Sequence, residues 1–112
     1  MSLKMKQNNN ASQFIRQITR RISLKFHPYK IILFGSYAIG TPNSDSDVDL
    51  LVIFSKKGNR AQRYSQVSRE LEPMLLPVDL LIRSTQDIQN RLKIGDSFIE
   101  EILSKGKILY ER

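Results

Sequence analysis

Cysteine is absent from this 112-residue chain, which excludes a disulfide framework and a thiolate metal site and fits a cytosolic protein. No apolar stretch approaches the roughly 18 residues that span a bilayer. The amino terminus, Met1-Ser2-Leu3-Lys4-Met5-Lys6 running into Gln7-Asn8-Asn9-Asn10, contains no signal-peptide apolar region. A membrane is therefore not expected among its partners, and the cytoplasm is the expected location. Internal repeats, low-complexity core segments and interdomain linkers are also missing. Acidic residues are the minority: eleven Asp and Glu stand against eighteen Lys and Arg, for a net charge of +7 and a pI near 9.9. A basic surface favours polyanions such as nucleic acid, nucleotides or an acidic partner. It serves solubility equally well, because the basic residues are spread along the chain. No aromatic-rich basic motif supports direct nucleic-acid binding.

What is present is ordinary for a soluble globular protein, with 40% hydrophobic and 26% charged residues. The length suits one domain with a modest core, placed over 12–112. Residues 1–11 are expected to be disordered, with Met1-Ser2-Leu3 in part a remnant of cloning. Ser12 is the expected cap of a helix carrying Phe14, Ile15, Ile18 and Ile22 at helical spacing. The helix should stop near Phe26, because Pro28 disfavours helical backbone at His27. Ile31-Ile32-Leu33-Phe34 reads as a buried strand, and Val48 to Phe54 as a second, closed by Lys56-Lys57-Gly58-Asn59. Ala61, Tyr64, Val67 and Leu71 form one helical stripe that Pro73 ends. Pro77 introduces a third strand, Val78 to Ile82. A weaker helix is expected around Ile88 and Leu92. A better one starts at Ser97, with Ser97 and Glu100 as a capping box, Ile99, Ile102 and Leu103 inside and Gly106 at its end. Lys107 to Tyr110 reads as an edge strand. The fold class is α+β: a small mixed sheet of three or four strands flanked by helices.

Against this background one pattern stands out. In Ser46-Asp47-Val48-Asp49-Leu50 two aspartates are separated by a single residue. Side chains alternate faces along a strand, so Asp47 and Asp49 project to the same side. Two bare carboxylates about 4 Å apart repel by roughly 4 kcal/mol at an effective dielectric near 20, and a cation relieves that cost. Connection lengths supply a third carboxylate. The Ser36–Ser46 link is too short for a parallel crossover, so the first two strands should be antiparallel. The next link contains a whole helix and allows the second and third strands to run parallel. Asp79 then falls near Asp47 and Asp49, and all three face Gly35-Ser36.

Gly35 permits a sharp turn and a close approach of backbone to ligand. A helical turn beginning at Ser36 would point free amides and a hydroxyl at an anion. Phosphate on one side and three carboxylates on the other describe a magnesium–nucleotide site, since magnesium takes oxygen ligands from a few carboxylates, water and substrate phosphates. Two such ions about 3.5–4 Å apart can clamp the attacking and leaving oxygens of a nucleotidyl transfer.

The run Phe34-Gly35-Ser36-Tyr37-Ala38-Ile39-Gly40, then Ser46-Asp47-Val48-Asp49-Leu50-Leu51-Val52, then Val78-Asp79-Leu80 resembles the minimal nucleotidyltransferases of the DNA polymerase β-like superfamily. The resemblance covers Ile31 to Ile82, and Gly106-Lys107-Ile108-Leu109-Tyr110-Glu111 is similar to the way these short chains finish. It implies the nucleotidyltransferase fold, with Gly35 and Ser36 on the triphosphate of ATP or another NTP. Asp47 and Asp49 would hold two magnesium ions. Asp79 would complete the site and help deprotonate the acceptor hydroxyl. It further implies an antitoxin encoded beside an all-helical HEPN toxin, moving AMP to a hydroxyl of that partner protein. A homo-oligomer is compatible with the same resemblance. One position departs from the family, which usually has arginine where this chain has Ile39. Lys30, Lys56 and Arg60 are the substitutes on offer. The alternative is a catalytically weak subunit that neutralises its partner by binding alone. His27, Asp45, Tyr37 and Tyr64 read as ordinary helix-end, loop and packing residues.

Overall fold

The computed structural model describes residues 3–43 and 45–112, with side chains from residue 10 onward. The elements in chain order are α1 (Leu3–Phe26), β1 (Lys30–Phe34), α2 (Ser36–Ile39), β2 (Val48–Phe54), α3 (Arg60–Arg69), β3 (Val78–Ser84), α4 (Thr85–Lys93), α5 (Ser97–Lys105) and β4 (Lys107–Glu111). The strands form one mixed sheet in the order β3-β2-β1-β4. β1 runs antiparallel to β2 and to β4, whereas β2 and β3 are parallel and joined through α3. The α+β architecture and both strand orientations are as expected from the connection lengths.

β2, an inner strand of the sheet beside β1, is apolar on both faces. Val48, Leu50, Val52 and Phe54 point to one side, where they pack with Phe14, Ile15, Ile18 and Ile22 of α1 and with Val67 and Leu71 at the end of α3. Leu51 and Ile53 point to the other, against Ile88 of α4 and Ile99 and Ile102 of α5. Each face thus holds its own cluster, and helices cover both. Lys25 Nζ reaches Glu70 Oε2 at 2.8 Å, and Arg21 donates to the Glu72 carbonyl at 2.7 Å, fastening α1 to the segment after α3.

Several expectations need correction. The first helix begins at Leu3 rather than at Ser12; Ser12 lies within it, and Ala11, placed in a disordered tail, is buried. Met1 and Ser2, two of the three residues of the suggested remnant, lie outside the described residues. In α3 the inner stripe is Val67, continued by Leu71 just beyond the helix; Tyr64 is 47% exposed and Ala61 is exposed too. The last helix is capped by Asp96, whose carboxylate accepts from the amides of Phe98 and Ile99, so the Ser97–Glu100 capping box does not form. A capping box does form one helix earlier, between Ser84 and Asp87, where only a weak helix was expected. His27 leaves α1 with a positive φ of 46°, donating its amide to the Ser23 carbonyl.

Candidate functional site

β1 ends at Phe34, and Gly35 turns the chain with φ 75° and ψ −157° into the single turn α2. That left-handed φ suits glycine, and contact sets a second requirement: a Cβ at this position would overlap Oδ2 of Asp49. Gly35 therefore lies directly against the carboxylate. Among the described residues no side chain caps α2, and while the Ala38 and Ile39 amides donate to the Gly35 carbonyl at 3.0 and 3.2 Å, those of Ser36 and Tyr37 are left without a protein acceptor. With four residues, α2 has little dipole to offer; donors here are individual amides and the Ser36 hydroxyl.

The strand register assembles the acidic side. Asp49 in the central strand is the cross-strand partner of Phe34 in β1 and of Asp79 in β3. Cross-strand partners point to the same face. Adjacent strands lie about 4.8 Å apart, so Asp49 and Asp79 are near neighbours at one end of the sheet. Asp47, one residue before β2, adds a third charge. Asp49 is partly buried, whereas Asp47 and Asp79 are exposed. Burial first, then the charges of Asp79 and Asp47, push the Asp49 carboxyl above its ordinary value of 3.8. The fold thus holds Asp49 where its charge is unfavourable.

Among the described residues no three acidic, histidine or cysteine side chains enclose an ion by themselves. The donor set still fits a hard cation. All three candidates are carboxylates, and exposed Asp47 and Asp79 are open to a cation that draws its other ligands from water and phosphate. A zinc-type cage of nitrogen and sulfur donors has no counterpart here.

Gly35, Ser36, Asp47, Asp49 and Asp79 thus all fall at one end of the sheet. The proposed stand-ins for the missing arginine do not. Lys30 opens β1 at the opposite end and pairs with Glu111 at 3.3 Å. Lys56 follows the far end of β2, and Arg60 opens α3 there, 3.7 Å from Asp87. Ile39 itself is 62% exposed, and Asp45 stays in the exposed loop, its amide donating to Asn43 Oδ1 at 2.8 Å. Phe98 is a neighbour that the sequence did not signal. The residue is 51% exposed, and its ring makes a T-shaped contact, centroids 5.9 Å apart, with Phe34, the strand partner of Asp49. Helical spacing marks only the inward positions of α5, so an outward aromatic leaves no periodic trace.

The family model of the nucleotidyltransferase domain matches residues 15–109. A Methanocaldococcus jannaschii protein that bears the provisional name of protein adenylyltransferase is 28% identical over 106 residues, spanning 90% of this chain and 99% of its own. Another from the same organism, under the same provisional name, is 30% identical over 83 residues, spanning 72% and 83%. A crystal structure from Sulfolobus solfataricus, provisionally named a nucleotidyltransferase, superposes with a TM-score of 0.67 at 21% identity, covering 96% of this chain and 86% of that one. A chain of a mutant toxin–antitoxin complex, MntA–HpeT, superposes at 0.53 with 20% identity, covering 94% and 73%. The two structures share the fold, and the family model spans most of the sequence: the chain belongs to the nucleotidyltransferase domain family.

Proposed function

We propose that this chain is a metal-dependent nucleotidyltransferase that moves AMP, or another nucleoside monophosphate, from an NTP to a hydroxyl of a partner protein. The observation that carries the reading is the row Phe34–Asp49–Asp79 across three strands, with Gly35 against the Asp49 carboxylate. Asp47 and Asp49 would hold magnesium, which when bound supplies charge neutralisation and polarises phosphoryl oxygens. Asp79 would complete that ligand set. Gly35 and Ser36 would donate to the triphosphate. Asp79, exposed beside Asp49, takes the proton as the acceptor oxygen bonds to the α-phosphorus; the bond from that phosphorus to its bridging oxygen breaks, and pyrophosphate leaves with the electron pair.

A protein acceptor is favoured by the provisional naming of both curated relatives as protein adenylyltransferases. The toxin–antitoxin structural neighbour favours a toxin as that partner, with this chain as its antitoxin; the HEPN class of the toxin rests on the sequence resemblance alone. ATP labelled on the α-phosphate should label such a partner in the presence of magnesium, and ATP labelled on the γ-phosphate should not. Labelling from the γ position alone would make the chain a kinase and end this reading.

A second reading, neutralisation of the partner by binding alone, is favoured by Ile39. No basic residue proposed to replace the usual arginine lies at that end of the sheet. Calorimetry with magnesium–ATP separates the two: heat of binding that Asp49→Asn removes supports transfer, and none in the native chain supports the binding-only subunit.

A further inference from the structure

The opposite end of the sheet carries a second charge cluster, of the opposite sign. A concave pocket of about 370 Å³ opens there, lined by Lys57, Arg60, Arg63, Arg83, Ser84 and Asp87 among others. It lies where parallel β2 and β3 both end, at the Phe54–Ser84 pair, and where the capped first turn of α4 begins. Along β3, Arg83 stands four residues from Asp79, roughly 13 Å at strand rise. The pocket is thus separate from the acidic end, and nothing in the transfer chemistry uses it.

Two of its cations are held in place. Arg63 donates to the Lys56 carbonyl at 2.8 Å, and its guanidinium carbon lies 4.3 Å from the Phe54 ring centroid. Gly58 makes room for it: a Cβ there would fall 2.6 Å from the same carbon. Arg83, partly buried, donates to the Ile82 carbonyl at 2.7 Å. A guanidinium has five N–H donors, so each keeps several for an external acceptor. The one carboxylate in the lining is already committed. Asp87 accepts from the Ser84 amide at 2.9 Å in the capping box, and Arg60 approaches the same oxygen at 3.7 Å. Burial, and then the neighbouring charges of Arg60 and Arg91 against those of Asp87 and Asp96, push the Arg83 guanidinium below its ordinary value. Four cations around one concavity with a single engaged carboxylate carry an excess of positive charge that an anion would relieve. Their convergence on a pocket, rather than a line along a helix or groove, suits a compact anion more than a polymer.

We infer that this pocket is a second ligand site of the chain, one that binds the diphosphate of pyrophosphate or of a free nucleotide without a metal. The inference stands apart from the transfer reaction proposed above. Its test is a titration of the isotope-labelled full-length chain with inorganic pyrophosphate and, separately, with ADP, both in EDTA, followed through backbone amide resonances. Saturable shifts at Gly58, Arg83 and Ser84 are expected. Arg83→Gln and Arg60→Gln should each weaken binding by about tenfold, the size of one lost charge-assisted hydrogen bond, and Asp49→Asn should leave it unchanged. Arg60 has a side chain 58% exposed at a helix start, so its removal leaves the fold intact even if Arg83→Gln does not. Tighter binding of ADP assigns the site to a nucleotide and equal binding to the diphosphate alone; either upholds the inference. Amides that stay still at millimolar pyrophosphate would overturn it, as would shifts confined to Gly35 and Ser36 or undiminished binding by both variants. So would a single-stranded RNA that moves the same amides at lower phosphate concentration with a steep salt dependence.

Discussion

Replacing Asp49 by asparagine should stabilise the metal-free protein while abolishing transfer. Asp49 and Asp79 face each other across one strand spacing of about 4.8 Å. Two unit charges at that separation repel by about 3.5 kcal/mol at an effective dielectric near 20, and by about 0.9 kcal/mol in bulk water. Asp79 and Asp47 are exposed, so the aqueous limit is the nearer one, and a gain of about 1 kcal/mol is expected at neutral pH. The sign follows from the direction of the Asp49 shift. Its carboxyl titrates above its ordinary 3.8 in the folded chain, so folding favours the protonated form. That contribution is present below the unfolded value and is lost as pH rises through the folded one. The gain from asparagine should therefore be near zero at about pH 3 and complete at about pH 7. In EDTA this corresponds to a rise of roughly 0.5–1 M in the urea midpoint at neutral pH, for a slope of about 1–2 kcal/mol/M. Magnesium should then stabilise the native chain and not the variant. A variant less stable than the native chain at neutral pH in EDTA would show that Asp49 carries no such repulsion, and so would a gain that does not change with pH.

Gly35→Ala should cost about 1–3 kcal/mol from its positive-φ, extended-ψ backbone alone, a conformation essentially confined to glycine. The overlap with Asp49 adds to this, so both the melting temperature and magnesium–ATP binding by calorimetry should fall. A variant with native stability and affinity would show that the close approach is not required. Ser84→Ala removes the hydroxyl that accepts the Asp87 amide at 3.0 Å; a loss of about 1 kcal/mol in urea unfolding is expected. Asp87 titrates below its ordinary value, first through the Ser84 backbone hydrogen bond. Its contribution should therefore be present above pH 3.8 and vanish as pH falls through its depressed folded value. Ile18→Ala, at a fully buried position of α1, should cost about 2–5 kcal/mol; a small effect would mean that α1 is not packed on the sheet as described.

The parts of this molecule that were legible in its sequence are those where one local rule decides. The apolar runs of β1, β2 and β3 have no other stable place than a covered sheet. The short link after β1 and the helical link after β2 left one orientation for each pair, and those orientations bring Asp49 beside Asp79. The misreadings arose where two residues compete for one role. Asp96 and Ser97 can each cap α5, and the carboxylate at the earlier position captures both free amides. Tyr64 shares helical spacing with Val67, yet Val67 is the residue that α3 buries, and Tyr64 stays 47% exposed. Polar Gln7 to Asn10 gave no helical period, although the helix extends through them from the packed part of α1. The basic pocket was invisible for a further reason. Lys57, Arg60, Arg63 and Arg83 come from a turn, a helix and a strand, and the parallel pairing of β2 with β3 brings them together.

Asp47, Asp49 and Asp79 are proposed above to support transfer of a nucleoside monophosphate to a protein. Intact-mass spectrometry of a candidate helical toxin, incubated with this chain, ATP and magnesium, tests that proposal most directly. The toxin should become heavier by one AMP or a whole multiple of it, with the modification on a side-chain hydroxyl, and should stay unmodified when Asp49→Asn is used. An unchanged mass with every NTP tried, or the same mass gain with the variant, would contradict it.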